Sequence, residues 1–414
     1  MRRHLYTGIS ELVQPHALEG QTREPLTIQR DAALLIENGQ VSAAGPRRAI
    51  AALAAAGHAT HIDLGDRAVL PGFIDSHTHV VFAGTRVDEM ARRARGETYE
   101  QIAASGGGIK RSAAQLEQAS ERELVETALG RLARMLSKGT TTCEIKSGYG
   151  LLPAAEHKQL AAISALGGRT AMRIVATVLA HSIPGVYSER RAEYVALFCE
   201  QILAPAARAE RARFCDVFVE QGVFTNDEAR TIAAAARAAG LGLKLHVDQL
   251  HDNGGAEFAA ELGATSADHL EESNARGRAA LARAGVVATV LPGCRLFLGK
   301  GPWPAARALR DAGCEVAVAT DCNPGSSMVV DLPLCAMLAA TEGGLSLEEA
   351  LWGITRGGAR ALALPATDAT LTAGDRADFV VLSAEDWRTL FYSPGDPPID
   401  AVVIGGQVVT GALT

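Results

Sequence analysis

Apolar and polar positions along the middle of this chain alternate between two kinds of segment. Short apolar runs that fit β-strands are separated by alanine-rich stretches with helical spacing. The apolar runs number eight and lie at 73–81, 140–148, 173–181, 214–222, 242–249, 265–270, 286–293 and 315–323. Eight strands with interleaved helices predict an α/β fold of the (β/α)8, TIM-like barrel type, and a doubly wound open sheet is the competing architecture.

The two ends of the chain show a different pattern. Residues 1–65 and 366–414 contain short β-type runs such as 32–45, in which Asn38-Gly39 is a strong hairpin signal. These runs have no place in a barrel. We therefore expect one small β-sandwich domain built from both chain ends, with the barrel of residues 66–365 inserted into it.

Nearly every run in the middle of the chain ends in a polar side chain. These side chains are His79, Lys146, His181, Glu220, His246, His269 and Asp321. In a closed barrel the carboxyl ends of the strands converge on one mouth, which is where the active sites of this fold lie. An open sheet would spread the same groups along a line too wide for one site, so the pattern favours the barrel.

The segment LPGFIDSHTHVV (70–81) carries the strongest chemical signal. Alternate side chains of a strand share a face, so Asp75, His77 and His79 are expected to project the same way. Two imidazoles at this spacing can both reach one cation, at about 2.0–2.1 Å for Zn–N bonds. The alternative is a buried strand with two hydrogen-bonded histidines, but three ionisable groups on one face cost free energy unless each has a partner. The segment therefore predicts a metal site.

Two further residues complete the predicted ligand set. His246 lies near the end of the fifth run, and Asp321 ends the eighth run above the small residues Ala317 and Ala319. Asp321 could instead be a turn carboxylate before Asn323, but ligation is favoured with three histidines at the same mouth. Three histidines and one aspartate leave room for a water molecule, as hydrolytic metal sites require.

The other polar residues at the strand ends leave more than one interpretation open. His269 and His181 are not needed as ligands, so acid–base or oxyanion roles are available to them, although a lone histidine is more often structural. Lys146 could bridge two metals as a carbamate. It precedes Ser147-Gly148-Tyr149-Gly150, which suits a loop that touches substrate, and we prefer that loop and a single metal.

Two features after the first run suggest how a substrate is held. Arg86 follows the first run closely enough to lie near the mouth, where its guanidinium could bind a substrate carboxylate bidentately. A solvated arginine is an equally good local interpretation. Gly106–Gly108 forms a flexible segment that could act as a moving lid, and no phosphate-loop pattern accompanies it.

The composition narrows the classes of partner. Apolar residues make up 48% and charged residues 21% of the 414 residues, with a net charge of −7. This charge argues against nucleic acid or an anionic membrane as the main partner. No apolar stretch has the length of about 20 residues that a membrane helix needs. The N-terminus lacks a secretory apolar region, and no Cys-x-x-Cys pair occurs. We therefore expect a cytoplasmic protein.

Taken together, the motifs resemble the amidohydrolase superfamily and, within it, the imidazolonepropionase family. The resemblance spans nearly the whole chain and rests on PGFIDSHTHVVFAGTR, GGGI, GTTTCEIKSGYGL, VLAH, LKLHVDQ, ADHLE, LPG and ATDCNPGS. The His-x-His motif marks only the superfamily. The KSGYG segment, the ATDxNPG segment and the arginine after FAG are much more specific.

The resemblance implies a role for each matching residue. One zinc or iron ion would be bound by His77, His79, His246 and Asp321. Substrate would be contacted by Arg86, Tyr149, His181, Asn323, Gly325 and Ser326. Some family members carry a glutamate where this chain has Gln249, and an amide cannot act as a base. Proton transfer would then fall on Asp321 or His269, while Gln249 orients water or substrate.

The expected activity is hydrolysis of the ring amide C–N bond of 4-imidazolone-5-propanoate by a metal-activated water, giving N-formimino-L-glutamate in histidine degradation. The nearest alternative is another amidohydrolase, either a cyclic-amide hydrolase or a nucleobase deaminase. A non-catalytic metal-binding barrel is the more distant one. The expected partner is a small molecule with a carboxylate tail, and a homodimer is the default assembly.

Overall fold

The structure is a computed structural model that describes residues 3–15, 25–55, 58–97, 101–102, 105–299 and 301–413. Its strands are β1 Arg3–Pro15, β2 Leu26–Glu37, β3 Gln40–Pro46, β4 Thr60–Pro71, β5 Phe73–Asp75, β6 Thr140–Lys146, β7 Arg173–Ala180, β8 Phe214–Val219, β9 Gly242–Val247, β10 Ser266–His269, β11 Val287–Val290, β12 Val316–Val318, β13 Phe379–Leu382, β14 Ile399–Ile404 and β15 Gln407–Gly411.

The α-helices are Arg47–Ala55, Val87–Ala94, Ile109–Gln118, Glu121–Ser137, Pro153–Leu166, Arg191–Leu197, Ala204–Arg208, Asn226–Ala238, Gly255–Leu262, Ala275–Ala284, Pro292–Leu298, Ala306–Asp311, Leu332–Thr341, Leu347–Trp352 and Gly358–Ala361. Two π-helical turns, Phe198–Leu203 and Gly353–Gly357, continue helices, and 3₁₀ turns occur at Gly185–Tyr187, Ala366–Asp368 and Trp387–Phe391. Within the described residues, no helix combines the length and the apolar character needed to cross a membrane.

Strands β5 to β12 form an eight-stranded sheet in which spatial order follows chain order. All neighbouring pairs run parallel. Just beyond the ends of β5 and β12, the amide of Asp321 donates to the carbonyl of His77 (3.0 Å) and that of His79 to the carbonyl of Cys322 (3.0 Å). The first and last strands are thereby joined and the predicted barrel is confirmed, whereas an open sheet would reverse its strand order at a switch point.

A second sheet is built from both ends of the chain, in the order β15-β14-β13-β4-β1-β2-β3. Its seven strands have their own apolar core, in which Tyr6 meets the ring of Phe379 edge to face at 5.3 Å. Strand β4 runs antiparallel to β13 and leads directly into the barrel through Gly72. The prediction of a second β-structure from both termini is confirmed, while its boundaries at residues 65 and 366 stay a prediction.

The first barrel strand is shorter than the sequence pattern predicts. It ends at Asp75, whose carboxylate accepts hydrogen bonds from the Thr320 amide (3.1 Å) and hydroxyl (2.6 Å). Asp75 therefore ties the first strand to the end of the eighth and does not point towards the mouth with the two histidines. Beyond it, the carbonyl of Thr78 accepts from the amide of Lys146 at 2.9 Å. The chain leaves the regular ladder here, and this departure carries His77 and His79 into the barrel mouth.

Candidate active site

The first group of side chains at the mouth consists of His77, His79 and Asp321. All three are buried, and their ligand atoms lie within 4.8 Å of one another. Oδ1 of Asp321 is 3.4 Å from Nε2 of His77 and 3.3 Å from Nε2 of His79. Burial raises the pKa of Asp321, but the facing histidines outweigh this effect and hold it well below its usual value. The carboxylate is therefore ionised and directs one oxygen at both rings.

A second group shares His77 and adds His246 and His269, again with ligand atoms within 4.8 Å of one another. The ring centroids of His77 and His246 are 4.5 Å apart, and those of His246 and His269 are 5.3 Å apart. The four predicted ligands thus cluster at the mouth, with His77 common to both groups and the ring centroids of His79 and His246 5.6 Å apart. His269 lies as close to His77 and His246 as a ligand would.

Neighbouring residues fix the orientation of Asp321. Its other oxygen, Oδ2, accepts from Sγ of Cys294 (2.8 Å) and from Nδ2 of Asn323 (2.8 Å). The backbone of Asp321 is left-handed at φ 51°, and that of His269 is left-handed at φ 84°. Such conformations cost free energy in residues other than glycine and concentrate at functional sites. The sequence analysis did not single out Cys294, since nothing in LPGC distinguishes this cysteine from a packed one.

The chemistry of this group fits a metal ion. Nε2 of His77 and Nε2 of His246 are buried and have no hydrogen-bond partner within the part of the chain that the structure describes. Buried polar atoms are normally satisfied, so an exception requires an explanation such as an ion. Neutral imidazole nitrogens and one carboxylate oxygen are ligands that suit zinc and iron.

Two buried carboxylates face the opposite nitrogens of these rings. Oδ2 of Asp268 lies 2.7 Å from Nδ1 of His77, and Oδ2 of Asp216 lies 3.0 Å from Nδ1 of His246. A carboxylate in this position fixes which ring nitrogen carries the proton and turns the other towards a metal. The sequence analysis missed both residues. The signal was an aspartate inside each apolar run, FCDVFV and SADH.

A pocket opens above the histidines and is lined by every residue that the resemblance implies for substrate contact. Those residues are Arg86, Tyr149, His181, Asn323, Gly325 and Ser326, and Gln249 lines the pocket as well. The remaining wall is apolar and consists of Ile109, Phe218, Leu250 and Leu298, which the sequence analysis did not single out. An apolar pocket with a few convergent polar groups is typical of a small-molecule site.

Arg86 is buried in the pocket wall and pairs with Glu89, which the sequence analysis did not name. Nε and Nη2 of Arg86 donate to Oε2 of Glu89 at 2.9 and 2.6 Å. The other oxygen of Glu89 accepts from the amide of Gly108 at 3.0 Å, so the triglycine segment is anchored to the same pair. A Cβ at position 325 would clash with Nη1 of Arg86, which explains the glycine there.

His181 and Tyr149 form an aromatic wall beside the histidines. The ring of His181 is stacked on His79 at 5.8 Å and lies 5.5 Å from the ring of Tyr149. Burial, reinforced by the adjacent His79, lowers the pKa of His181 to about 3. The imidazole is therefore neutral and can offer one N–H to a developing negative charge.

Two other strand-end residues do not reach the pocket. Glu220 accepts from the amide of Leu250 (2.9 Å) and from Nδ2 of Asn253 (2.7 Å), and so braces the loop that carries Gln249. Lys146 lies beneath the mouth, with Nζ 2.7 Å from Asp216. A carbamate there would place a further negative charge among carboxylates, so the geometry speaks against the bridging alternative.

Comparison with known proteins agrees with this architecture. Residues 68–409 match the model of the amidohydrolase family. The imidazolonepropionase of Myxococcus xanthus is 44% identical over 396 residues, covering 94% of each chain. That of Deinococcus radiodurans is 44% identical over 409 residues, covering 98% of this chain and 99% of the relative.

Solved structures show the same fold at lower identity. A zinc complex of atrazine chlorohydrolase from Arthrobacter aurescens has a TM-score of 0.70 and 20% identity, covering 98% of this chain and 95% of that one. A zinc-bound adenosine deaminase from Xanthomonas campestris has a TM-score of 0.71 and 19% identity, covering 98% and 92%. The chain belongs to the amidohydrolase family and, within it, to the imidazolonepropionases.

Proposed function

We propose that this protein hydrolyses the ring amide C–N bond of 4-imidazolone-5-propanoate to give N-formimino-L-glutamate in histidine degradation. The observation that carries the proposal is the meeting of two features in one pocket. His79, His246 and Asp321, three of the four proposed metal ligands, line this pocket, and the buried guanidinium of Arg86 lies in its wall. This arrangement suits a hydrolysable ring with an anionic tail.

In this proposal His77, His79, His246 and Asp321 hold one metal ion, zinc or iron. Bound there, the ion would act as a Lewis acid and lower the pKa of a water ligand from about 15.7 towards 7. The protein's own contribution is a rigid donor set. Asp268 and Asp216 orient two of the rings, and Cys294 and Asn323 orient the carboxylate.

Arg86 holds the propanoate carboxylate and thereby places the ring over the histidines. Nε and Nη2 of Arg86 both donate to Glu89. This pairing orients the guanidinium so that Nη1 lies against the loop of Gly325. Tyr149 packs beside the ring, and Asn323 and Ser326 contact the polar end of the substrate. These residues contribute orientation, which lowers the barrier without taking part in bond making.

The reacting groups lie on the pocket floor. Attack of water on the ring carbonyl carbon develops negative charge on its oxygen, to which the neutral ring of His181 donates an N–H. Asp321, together with His269, accepts the proton of the water and passes it to the leaving ring nitrogen. Nδ1 of His269 lies 3.4 Å from Glu271, a carboxylate that steadies the ring. Gln249 orients the water or the substrate.

The proposal is tested with two substrates and a pair of double variants. The substrates are 4-imidazolone-5-propanoate and its propanamide analogue, which has no charge. Wild-type kcat/KM should favour the carboxylate by about 10- to 100-fold, as charged hydrogen bonds contribute about 1.5–3 kcal/mol. In Arg86→Gln/Glu89→Gln, which leaves no buried charge unpaired, this preference should disappear.

The matched control is Arg190→Gln/Glu193→Gln, which removes an exposed pair of the same i,i+3 spacing and should keep the preference. Equal wild-type activity on both substrates would exclude Arg86 as the carboxylate binder. Activity on nucleobases or neutral cyclic amides alone would replace the proposal with one of those activities.

A homodimer and a cytoplasmic location stay predictions, which sedimentation and cell fractionation can test.

A further inference from the structure

Five ionisable side chains fill the barrel directly beneath the mouth. They are Glu144 and Lys146 of β6, Asp216 of β8, Lys244 of β9 and Asp268 of β10, and all are fully buried. We call this group the ionic layer. Burying a single unpaired charge costs several kcal/mol, so two lysines and three carboxylates in a barrel core require a physical reason.

Lys146 contacts all three carboxylates of the layer. Its Nζ lies 2.7 Å from Asp216, 2.9 Å from Glu144 and 3.5 Å from Asp268. Burial alone would lower the pKa of Lys146, but these carboxylates raise it well above its usual value. The ammonium is therefore permanently charged and holds the three acidic side chains together.

Lys244 differs in its contacts. Its Nζ donates to the carbonyls of Ser76 (3.1 Å) and Ala361 (3.2 Å) and lies 3.6 Å from Glu144 and from Asp268. Lys146 is thus the lysine of the layer that contacts Asp216 as well as Asp268.

The carboxylate oxygens that contact Lys146 are the same ones that face the histidines. Oδ2 of Asp268 contacts both Nζ of Lys146 and Nδ1 of His77, and Oδ2 of Asp216 contacts both Nζ and Nδ1 of His246. One ammonium therefore lies behind two rings, one from the segment that follows β5 and one from β9. A displacement of Lys146 would remove the ammonium that both carboxylates share and would leave Asp268 with Lys244 and the hydroxyl of Ser266.

We propose that Lys146 is a positioning residue for the metal centre, which fixes Asp268 and Asp216 so that His77 and His246 present Nε2 to the mouth. This inference rests on the metal site proposed above. In this inference the ionic layer holds two ligands from separate parts of the barrel, His77 and His246, in one geometry, with the proton of each ring on Nδ1.

The test uses zinc affinity, measured by competition with a chelator, in three variants. Lys146→Met removes the ammonium. Lys146→Met/Glu144→Gln removes it together with one negative charge, which preserves the charge balance of the core and protects folding. Lys158→Met is the control, because that lysine donates to the carbonyls of Glu117 and Ala119, outside the layer.

Both Lys146 variants should bind zinc about 10- to 100-fold more weakly, the usual effect of losing a partner behind the ligands, and Lys158→Met should bind normally. If the folded double variant bound zinc with wild-type affinity, the proposal would be overturned, because a balanced charge in the core would then hold the ligands in place without Lys146. In zinc-loaded wild type, nitrogen-15 NMR should show protons on Nδ1 of both histidines, and protons on Nε2 would also overturn it. If the wild type binds no zinc, the proposed metal centre itself fails.

Discussion

The barrel mouth and the ionic layer beneath it both take ionisable side chains from β9 and β10, yet these side chains find their partners differently in the two regions. In the ionic layer each ammonium lies within 3.6 Å of carboxylates. At the mouth, Nε2 of His77 and Nε2 of His246 lack a hydrogen-bond partner within the described chain. The charges of the layer are thus paired within the protein itself, whereas the two ring nitrogens at the mouth are left for what the site binds, since buried polar groups are normally paired.

The backbone shows the same contrast. Asp321 and His269 at the mouth have left-handed φ values of 51° and 84°. Lys146 and Asp216 of the layer lie within regular strands. Strain at the mouth is tolerated because the regular, charge-paired layer below holds the strand ends in place. The residues that support the site and the residues that carry out its chemistry thus lie at different levels along the barrel axis, and mutations can test each level separately.

The largest effect is expected from removing a ligand at the mouth. His246→Asn should lose its metal and lower kcat/KM by at least about 1000-fold, the equivalent of several kcal/mol of lost charge stabilisation. Metal content by atomic absorption and kcat/KM are the measurements. His157→Asn changes a histidine that contacts the carbonyl of Gln201 away from the mouth and is the control. Retention of metal and activity by His246→Asn would remove this residue from the ligand set.

A smaller effect is expected at His269, which the proposal assigns to proton transfer. His269→Asn should lower kcat by about 100- to 10,000-fold, the range for a general acid–base group, and should keep its metal. The structure places His269 close to His77 and His246, so the metal content decides its role. If the variant loses its metal, His269 is a ligand and proton transfer rests on Asp321 alone.

His181 is expected to contribute less still. His181→Phe preserves the aromatic packing and removes one N–H donor, which should lower kcat by about 100- to 1000-fold. Because the pKa of His181 is about 3, its ring stays neutral when the pH falls from 8 to about 5. The acid limb of the pH–rate profile should therefore be the same in wild type and variant. A limb that disappears in His181→Phe would show that this histidine is the titrating group.

The smallest expected effect concerns stability and compares two arginine–glutamate pairs of i,i+3 spacing. Glu89→Ala leaves the buried Arg86 without the partner of Nε, which should cost about 3 kcal/mol of unfolding free energy. Glu193→Ala breaks an exposed pair and should cost less than about 1 kcal/mol. Urea unfolding of both variants is the measurement. Equal losses would show that burial of the Arg86 pair has no energetic consequence.

Much of this molecule can be predicted from the sequence because the relevant signals are local. The eight apolar runs mark the barrel, and the polar residue after each run marks the mouth, since parallel strands end at the same place. The two histidines of 77–79 and the arginine after FAG belong to this local information. All the residues expected around the substrate line one pocket.

The remaining features depend on contacts between distant parts of the chain. His77 and Asp268 are 191 residues apart, so the sequence contains no spacing that links them. Asp75 was expected beside the histidines, but its hydrogen bonds to Thr320, which is 245 residues away, end the first strand early. Cys294 beside Asp321 and Glu89 beside Arg86 were missed because burial alone distinguishes them from ordinary packed or surface residues.

We propose that the mouth of this barrel hydrolyses a carboxylate-bearing imidazolone with the help of a metal. The most direct test is turnover of freshly prepared 4-imidazolone-5-propanoate, followed by loss of ring absorbance and by identification of the product. We predict N-formimino-L-glutamate as the product, with a rate that a chelator abolishes and added zinc or iron restores. A metal-loaded protein that leaves this substrate intact, or a rate indifferent to chelation, would contradict the account.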